Sequence, residues 1–287
     1  MAIPTIPSTT DMTTPRLATL TLAVLAVGAF AANSLLARAA LSEGLIGAGS
    51  FTAIRLGAGA AVLLPWLLRG TRAGAFDWRG ALALFTYCAG FSFAYVELGA
   101  ATGAMVLFTA VQATVLASAA LSGQRVRAGD LAGIALALGG VAVLLAVRLS
   151  PGPLLATASM IAAGVAWGLY SVLGRSAADP ARRTAGNFAL AALLAAPLPL
   201  FDGGMAISLH GAALAIVSGA LTSGLGYVAW YRLVPRLPHA AVGAVQLATP
   251  VVAALAAAVL LAEPLTWRLA LAAALILGGI AITLRRG

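Results

Sequence analysis

Runs of about twenty apolar residues recur along the whole length of this chain, and a run of that size is what a helix needs to cross a hydrocarbon layer roughly 30 Å thick. Ten such runs can be read, over 17–36, 44–68, 79–98, 101–121, 129–147, 153–174, 184–201, 207–230, 239–262 and 266–284. A helix satisfies its backbone hydrogen bonds internally, which hydrocarbon cannot do for it. The pattern therefore predicts an all-α integral membrane fold. Short connections between the runs leave no room for a soluble domain. Composition agrees: hydrophobic residues are 62% of the chain and charged residues 9%, where a soluble domain carries roughly a quarter charged.

The first 16 residues are polar and Pro/Thr-rich, so they are expected to be disordered. Arg16, the apolar stretch after it and Ala29-Phe30-Ala31 look superficially like a cleavable leader. The stretch is too long for a leader core, and its pattern recurs later in the chain, so it is read as the first span. All 17 basic residues are arginine, and the formal net charge is +9. Apart from Arg55, these arginines are scattered at the ends of apolar runs and form no stripe, so the membrane reading is preferred to a nucleic-acid partner. The lone cysteine, Cys88, lies inside an apolar run and is read as a small buried side chain.

Arginine placement sets the orientation. With the N-terminus inside, the cytoplasmic side receives Arg16, Arg69, Arg72, Arg79, Arg125, Arg127, Arg175, Arg182, Arg183, Arg232, Arg236, Arg285 and Arg286. The outer side receives only Arg38, Arg148 and Arg268. Both termini are therefore expected in the cytoplasm, on a multi-pass protein of the cell (inner) membrane.

The chain also repeats internally. Phe30-Ala-Ala-Asn33-Ser34-Leu-Leu-Ala-Arg38 matches Trp167-Gly-Leu-Tyr170-Ser171-Val-Leu-Gly-Arg175 in one register. Arg55 through Pro65 matches Asn187 through Pro197 in spacing, and Ser122 through Gly140 aligns without gaps to Leu261 through Gly279. Three matches in the same order make chance a poor account. They divide the chain into a segment 1–16, a five-helix repeat over 17–149 and a second over 150–287. An odd number of spans turns the second copy upside down, an arrangement that recurs in secondary transporters around a central site.

At these residues the chain resembles the drug/metabolite transporter superfamily, in particular its EamA-type ten-helix exporters. Phe30 to Arg38 and Trp167 to Arg175 are similar to the family's first-helix signature. Phe51-Thr-Ala-Ile-Arg55-Leu resembles the arginine-bearing start of its second helix, and Thr249-Pro250-Val251 with Leu261-Ala-Glu263 its ninth-helix motifs. The first half departs from the pattern, with no proline opposite Pro250 and Gln124 opposite Glu263. The resemblance implies efflux of metabolites, amino acids or drugs. More narrowly, it points to the aromatic-amino-acid and methyl-viologen exporters of the YddG kind.

Catalytic patterns are absent: the sequence has no His-Glu-x-x-His, no Gly-rich nucleotide loop, and His210 and His239 sit at span ends. No enzyme activity and no cofactor are expected. The expected partners are a small-molecule substrate and the lipid bilayer, with the protein a monomer. Without a nucleotide site, transport is facilitative or driven by an ion gradient. A passive channel and a drug exporter of the same fold are the alternatives.

Candidate binding residues come from polar and aromatic groups deep in the spans. Tyr87, Phe91 and Tyr95 recur at four-residue spacing on one face of the third span. Trp167 and Tyr170 lie three apart in the sixth, and Tyr227 lies in the eighth. Asn33, Gln112, Asn187, Ser223 and Gln246 supply polar groups at similar depth. An apolar, aromatic-lined cavity with few polar contacts suits a flat amphipathic ligand. Tyr231, four residues from Tyr227, and Trp230 beside it are either part of the same aromatic set or an interfacial belt. Arg55, the one charge well inside a span, either holds a substrate carboxylate or is structural, bonding helix-end carbonyls or shielding an outer vestibule. Glu97 and Glu263 end spans on the outer side, as solvated carboxylates or proton carriers. Gly164 and Gly168, one turn apart, and Pro250, mid-span, have structural or gating roles.

Overall fold

The computed structural model describes residues 13–69, 74–98, 100–123, 127–145, 154–237, 239–249, 251–252, 255–256 and 267–285. The described residues contain no strand. Helices α1 (Thr13–Ser42), α2 (Ala48–Leu68), α3 (Trp78–Glu97), α4 (Ala100–Leu121) and α5 (Ala128–Leu145) come from the first half. Helices α6 (Leu154–Leu173), α7 (Pro180–Ala195), α8 (Leu209–Val217), α9 (Gly226–Leu233), α10 (His239–Gln246) and α11 (Trp267–Arg285) follow. A π-helical segment, Ser218–Leu225, joins α8 to α9 as one continuous rod.

Among the described residues, four helical stretches are long and apolar enough to cross a membrane: Leu17–Ser42, Ala48–Leu68, Leu154–Ser176 and Leu209–Arg236. Apolar stretches over Val106–Leu121, Ala128–Gly140 and Ala270–Thr283 are shorter. Several boundaries differ from the sequence reading. Helix α1 begins at Thr13, inside the stretch expected to be disordered. The span expected over 184–201 is helical only over Pro180–Ala195, about 24 Å of rise. Its start is set by Asp179, whose side chain accepts the Arg182 N–H, with Pro180 in the first turn. Pro197 and Pro199 lack an N–H to continue the ladder, so the chain passes into a 3₁₀ turn over Leu198–Phe201. In the ninth expected span, α10 stops at Gln246. Pro250 lies outside the described residues.

The surface is unlike that of a soluble protein. Leu121, Leu154, Leu200 and Leu209 are each more than 80% exposed. Arg55, Asn33, Gln112, Asn187, Ser218, Ser223 and Gln246 are buried. Large apolar side chains facing outward, around an apolar core that also holds buried polar groups, fit an apolar solvent.

Packing runs mostly between the halves. Helix α2 packs on α7 and on the π segment, α3 and α4 on α6, α1 on α9, and α5 on α11. Glycine makes these approaches close. A Cβ on Gly219 would lie 2.0 Å from the Arg55 carbonyl oxygen, and one on Gly279 would lie 2.3 Å from the Gly133 carbonyl oxygen. Lipid offers helices no hydrophobic gain on association, so this backbone contact is a main source of cohesion. Gly219→Ala should push α2 from the π segment and cost about 1–3 kcal/mol. A lowered melting temperature of the detergent-purified protein would register this, and an unchanged one would show that the helices separate freely.

Candidate functional site

Helix α2 carries Arg55 into the middle of the molecule, where it is fully buried. Its Nε donates to Ser223 Oγ at 2.9 Å and its Nη2 to Tyr227 Oη at 2.8 Å. Both acceptors come from the rod that faces α2: Ser223 from the π segment and Tyr227 from α9. The guanidinium carbon stands 5.4 Å from the Tyr87 ring centroid and 5.7 Å from that of Phe91, both on α3. Nη1 is buried with no hydrogen-bond partner. Arg55 therefore bonds side-chain hydroxyls and not helix-end carbonyls.

Aromatic rings surround this arginine. Trp167 lies at the centre, with ring centroids 4.8 Å from Tyr87, 4.7 Å from Tyr227, 5.8 Å from Tyr170 and 5.3 Å from Phe30. Its indole N–H donates to Gln246 Oε1, while the Gln246 amide donates to Val242 O at 3.1 Å. Tyr95 joins the cluster through Phe91, at 4.6 Å between centroids. Offset and edge-on ring contacts of this kind hold aromatic clusters in fixed orientations.

The structure thus brings together Arg55, Tyr87, Phe91, Trp167, Tyr170, Ser223, Tyr227 and Gln246, with Tyr95 at the margin. Asn33 lies one step away. Its Oδ1 accepts from Ser218 at 2.6 Å and from Thr222 at 3.3 Å, tying α1 to the π segment. π-helical turns often occur at functional sites. Gln112 sits at the α4–α10 contact, where a Cβ on Gly243 would lie 2.4 Å from its Oε1, and neither amide atom of Gln112 has a hydrogen-bond partner. Gly164 and Gly168 are not in the cluster. They seat α4, since a Cβ on Gly164 would lie 2.7 Å from Leu107 O and one on Gly168 2.8 Å from Thr114 Cβ.

Trp230 and Tyr231 do not form an interfacial belt. Both are buried: the Trp230 indole donates to Ser171 Oγ at 3.3 Å, and the Tyr231 hydroxyl to Tyr170 O at 2.6 Å. Their position near the end of an apolar run allowed both readings, but the rod continues to Arg236. Two residues of the cluster were missed as candidates. Phe188, on α7, contacts Tyr227 at 5.7 Å. Phe30 touches Trp167, Tyr227 and Trp230, and its register match to Trp167 was the signal that could have found it. Glu97 is exposed at the end of α3, and Glu263 lies outside the described residues. His210 is exposed, and no metal-ligating cluster occurs among the described residues.

Two acids join the halves at the periphery. Asp202 accepts the backbone N–H groups of Gly49 at 2.7 Å and Ser50 at 2.8 Å, where α2 begins. A carboxylate there satisfies open N–H groups and the positive end of the helix dipole. Asp77 pairs with Arg183 Nη1 at 3.0 Å.

Comparison with known proteins adds three findings. Residues 154–285 match the EamA-like transporter family. An uncharacterized protein of Pseudomonas aeruginosa is 50% identical over 256 residues, covering 88% of this chain and 89% of the relative. A protein of known crystal structure superposes with a TM-score of 0.77 at 26% identity, over 93% of this chain and 99% of its own.

The Trp167–Gln246 contact can be tested by a double-mutant cycle. Trp167→Phe leaves a buried amide oxygen without a donor and should cost about 1–3 kcal/mol. Adding Gln246→Leu should cost less than the sum of the two single changes. Strict additivity in thermal or urea unfolding would remove the bond from the cluster.

Proposed function

The chain belongs to the EamA-like transporter family, and from that premise we propose that it is a secondary exporter of small amphipathic metabolites, aromatic amino acids foremost. Members of the family are membrane transporters of small metabolites and not enzymes. The observation that carries the narrower reading is the central aromatic cluster around Trp167, with Ser223, Tyr227 and Gln246 as polar edges. Rings of Trp and Tyr offer flat apolar faces to an aromatic side chain, and a few fixed polar groups orient the rest of the ligand.

The proposed architecture is ten spans in two inverted five-helix halves, 17–149 and 150–287. Each half supplies matched contacts. Arg55 on α2 lies against Gly219, while Asn187, its register match on α7, lies against Gly80. Asp202, in the connection before α8, reaches the start of α2, and Asp77, in the connection before α3, reaches Arg183 in the first turn of α7. On this reading the two acids are latches at opposite membrane faces that open in turn, giving alternating access. The protein is placed in the inner membrane with both termini cytoplasmic, following the arginine bias, and works as a monomer.

Proteoliposome counterflow of labelled phenylalanine or tryptophan tests the proposal. Saturable exchange is expected, falling at least tenfold in Trp167→Ala and Tyr170→Ala. Flux that never saturates would point to a channel. Exchange of cationic drugs in place of amino acids would assign the protein to the other substrate class.

A further inference from the structure

Among the described residues, nothing balances the charge of Arg55. Its guanidinium is fully buried. Among those residues it pairs with no carboxylate. Its hydrogen-bond acceptors, Ser223 and Tyr227, are neutral hydroxyls. They fix the direction of the guanidinium but carry no opposing charge. The other polar groups that bear on it electrostatically are the Tyr87 hydroxyl and the Cys88 thiol. The faces of Tyr87 and Phe91 supply cation–π attraction at 5.4 and 5.7 Å. That attraction is smaller than the desolvation a buried charge suffers. Nη1, the remaining terminal nitrogen, is buried without a hydrogen-bond partner.

We propose that Arg55 is the subsite for a ligand carboxylate, with Nη1 as the open donor and Tyr87, Phe91 and Tyr227 as its walls. The proposal rests on the central cluster being the substrate site and deepens it: the substrate class is a monocarboxylate bearing a flat apolar group. A planar guanidinium already held on two sides by Ser223 and Tyr227 binds a carboxylate without losing further side-chain freedom. The Tyr87 ring that the guanidinium faces is itself packed on Trp167, so the apolar part of the same molecule would lie along this aromatic cluster. A bound carboxylate also supplies the charge that the buried guanidinium lacks, so ligand and arginine stabilise each other.

The test compares matched ligands that differ only in the charged group. The melting temperature of the detergent-purified full chain is followed against 3-phenylpropionate, benzoate and phenylalanine, and against 3-phenylpropanamide, benzamide and phenethylamine. The carboxylates should raise the melting temperature with apparent affinities at least tenfold tighter than their uncharged or decarboxylated partners. Arg55→Met should abolish that preference, and its melting temperature without ligand is the check that it folds. Equal effects of acids and amides on the wild type, or a preference that survives Arg55→Met, overturn the proposal. If Arg55→Met does not fold, the wild-type comparison alone decides. Counterflow of labelled phenylalanine is measured in parallel. A carboxylate preference without counterflow sinks the exporter reading and leaves the anion subsite standing. Counterflow without a carboxylate preference does the reverse.

Discussion

Hydrocarbon neither donates nor accepts a hydrogen bond, so each polar group within the spans must find its partner inside the protein. The interior of this molecule is organised around that requirement. Asn33 receives Ser218 and Thr222, Trp167 donates to Gln246, and Trp230 donates to Ser171. Arg55 is the most demanding member, because a charge needs more than neutral acceptors. Helix α2, the π segment and α9 are arranged so that two hydroxyls reach it, and their close approach depends on Gly219. Bulk at Gly219 would separate the rod from the backbone of the arginine it bonds.

The π segment has a part in this arrangement. Ser218, Thr222 and Ser223 lie within it, and they serve two different helices: the first two bond Asn33 on α1, and the third bonds Arg55 on α2. A π-helical turn admits an extra residue and turns the side chains after it relative to a regular helix. Nothing in the local sequence Ser-Gly-Ala-Leu-Thr-Ser-Gly-Leu announces it. Its two glycines are the visible clue, and they also mark ordinary close packing.

Much of the central aromatic cluster was legible from residue type and depth. Tyr87, Phe91, Trp167, Tyr170, Ser223, Tyr227 and Gln246 stood out because aromatic and polar groups are conspicuous in runs of Ala, Leu and Gly. Errors came where one-dimensional position stood in for three-dimensional depth. Trp230 and Tyr231 could be read as interfacial because they fall near the end of an apolar run, yet the rod carries them past buried partners on α6. Phe30 passed as part of a repeated signature, although it meets Trp167, the aromatic at the matching place in the other half. Asp202 offered no signal at all, since its partners lie some 150 residues away in the sequence.

By itself the amino-acid sequence determined the solvent and the class of fold, because apolar runs of span length with few charges leave no choice but helices in an apolar medium. It also marked which side chains are too polar or too large to face lipid without reason. Only the tertiary structure decided their partners. Hydrogen bonds and ring contacts between helices depend on the rotation and offset of each helix about its axis, and small residues permit those settings without encoding them. The pairing of Arg55 with Ser223 and Tyr227, across 168 and 172 residues of chain, is of that kind.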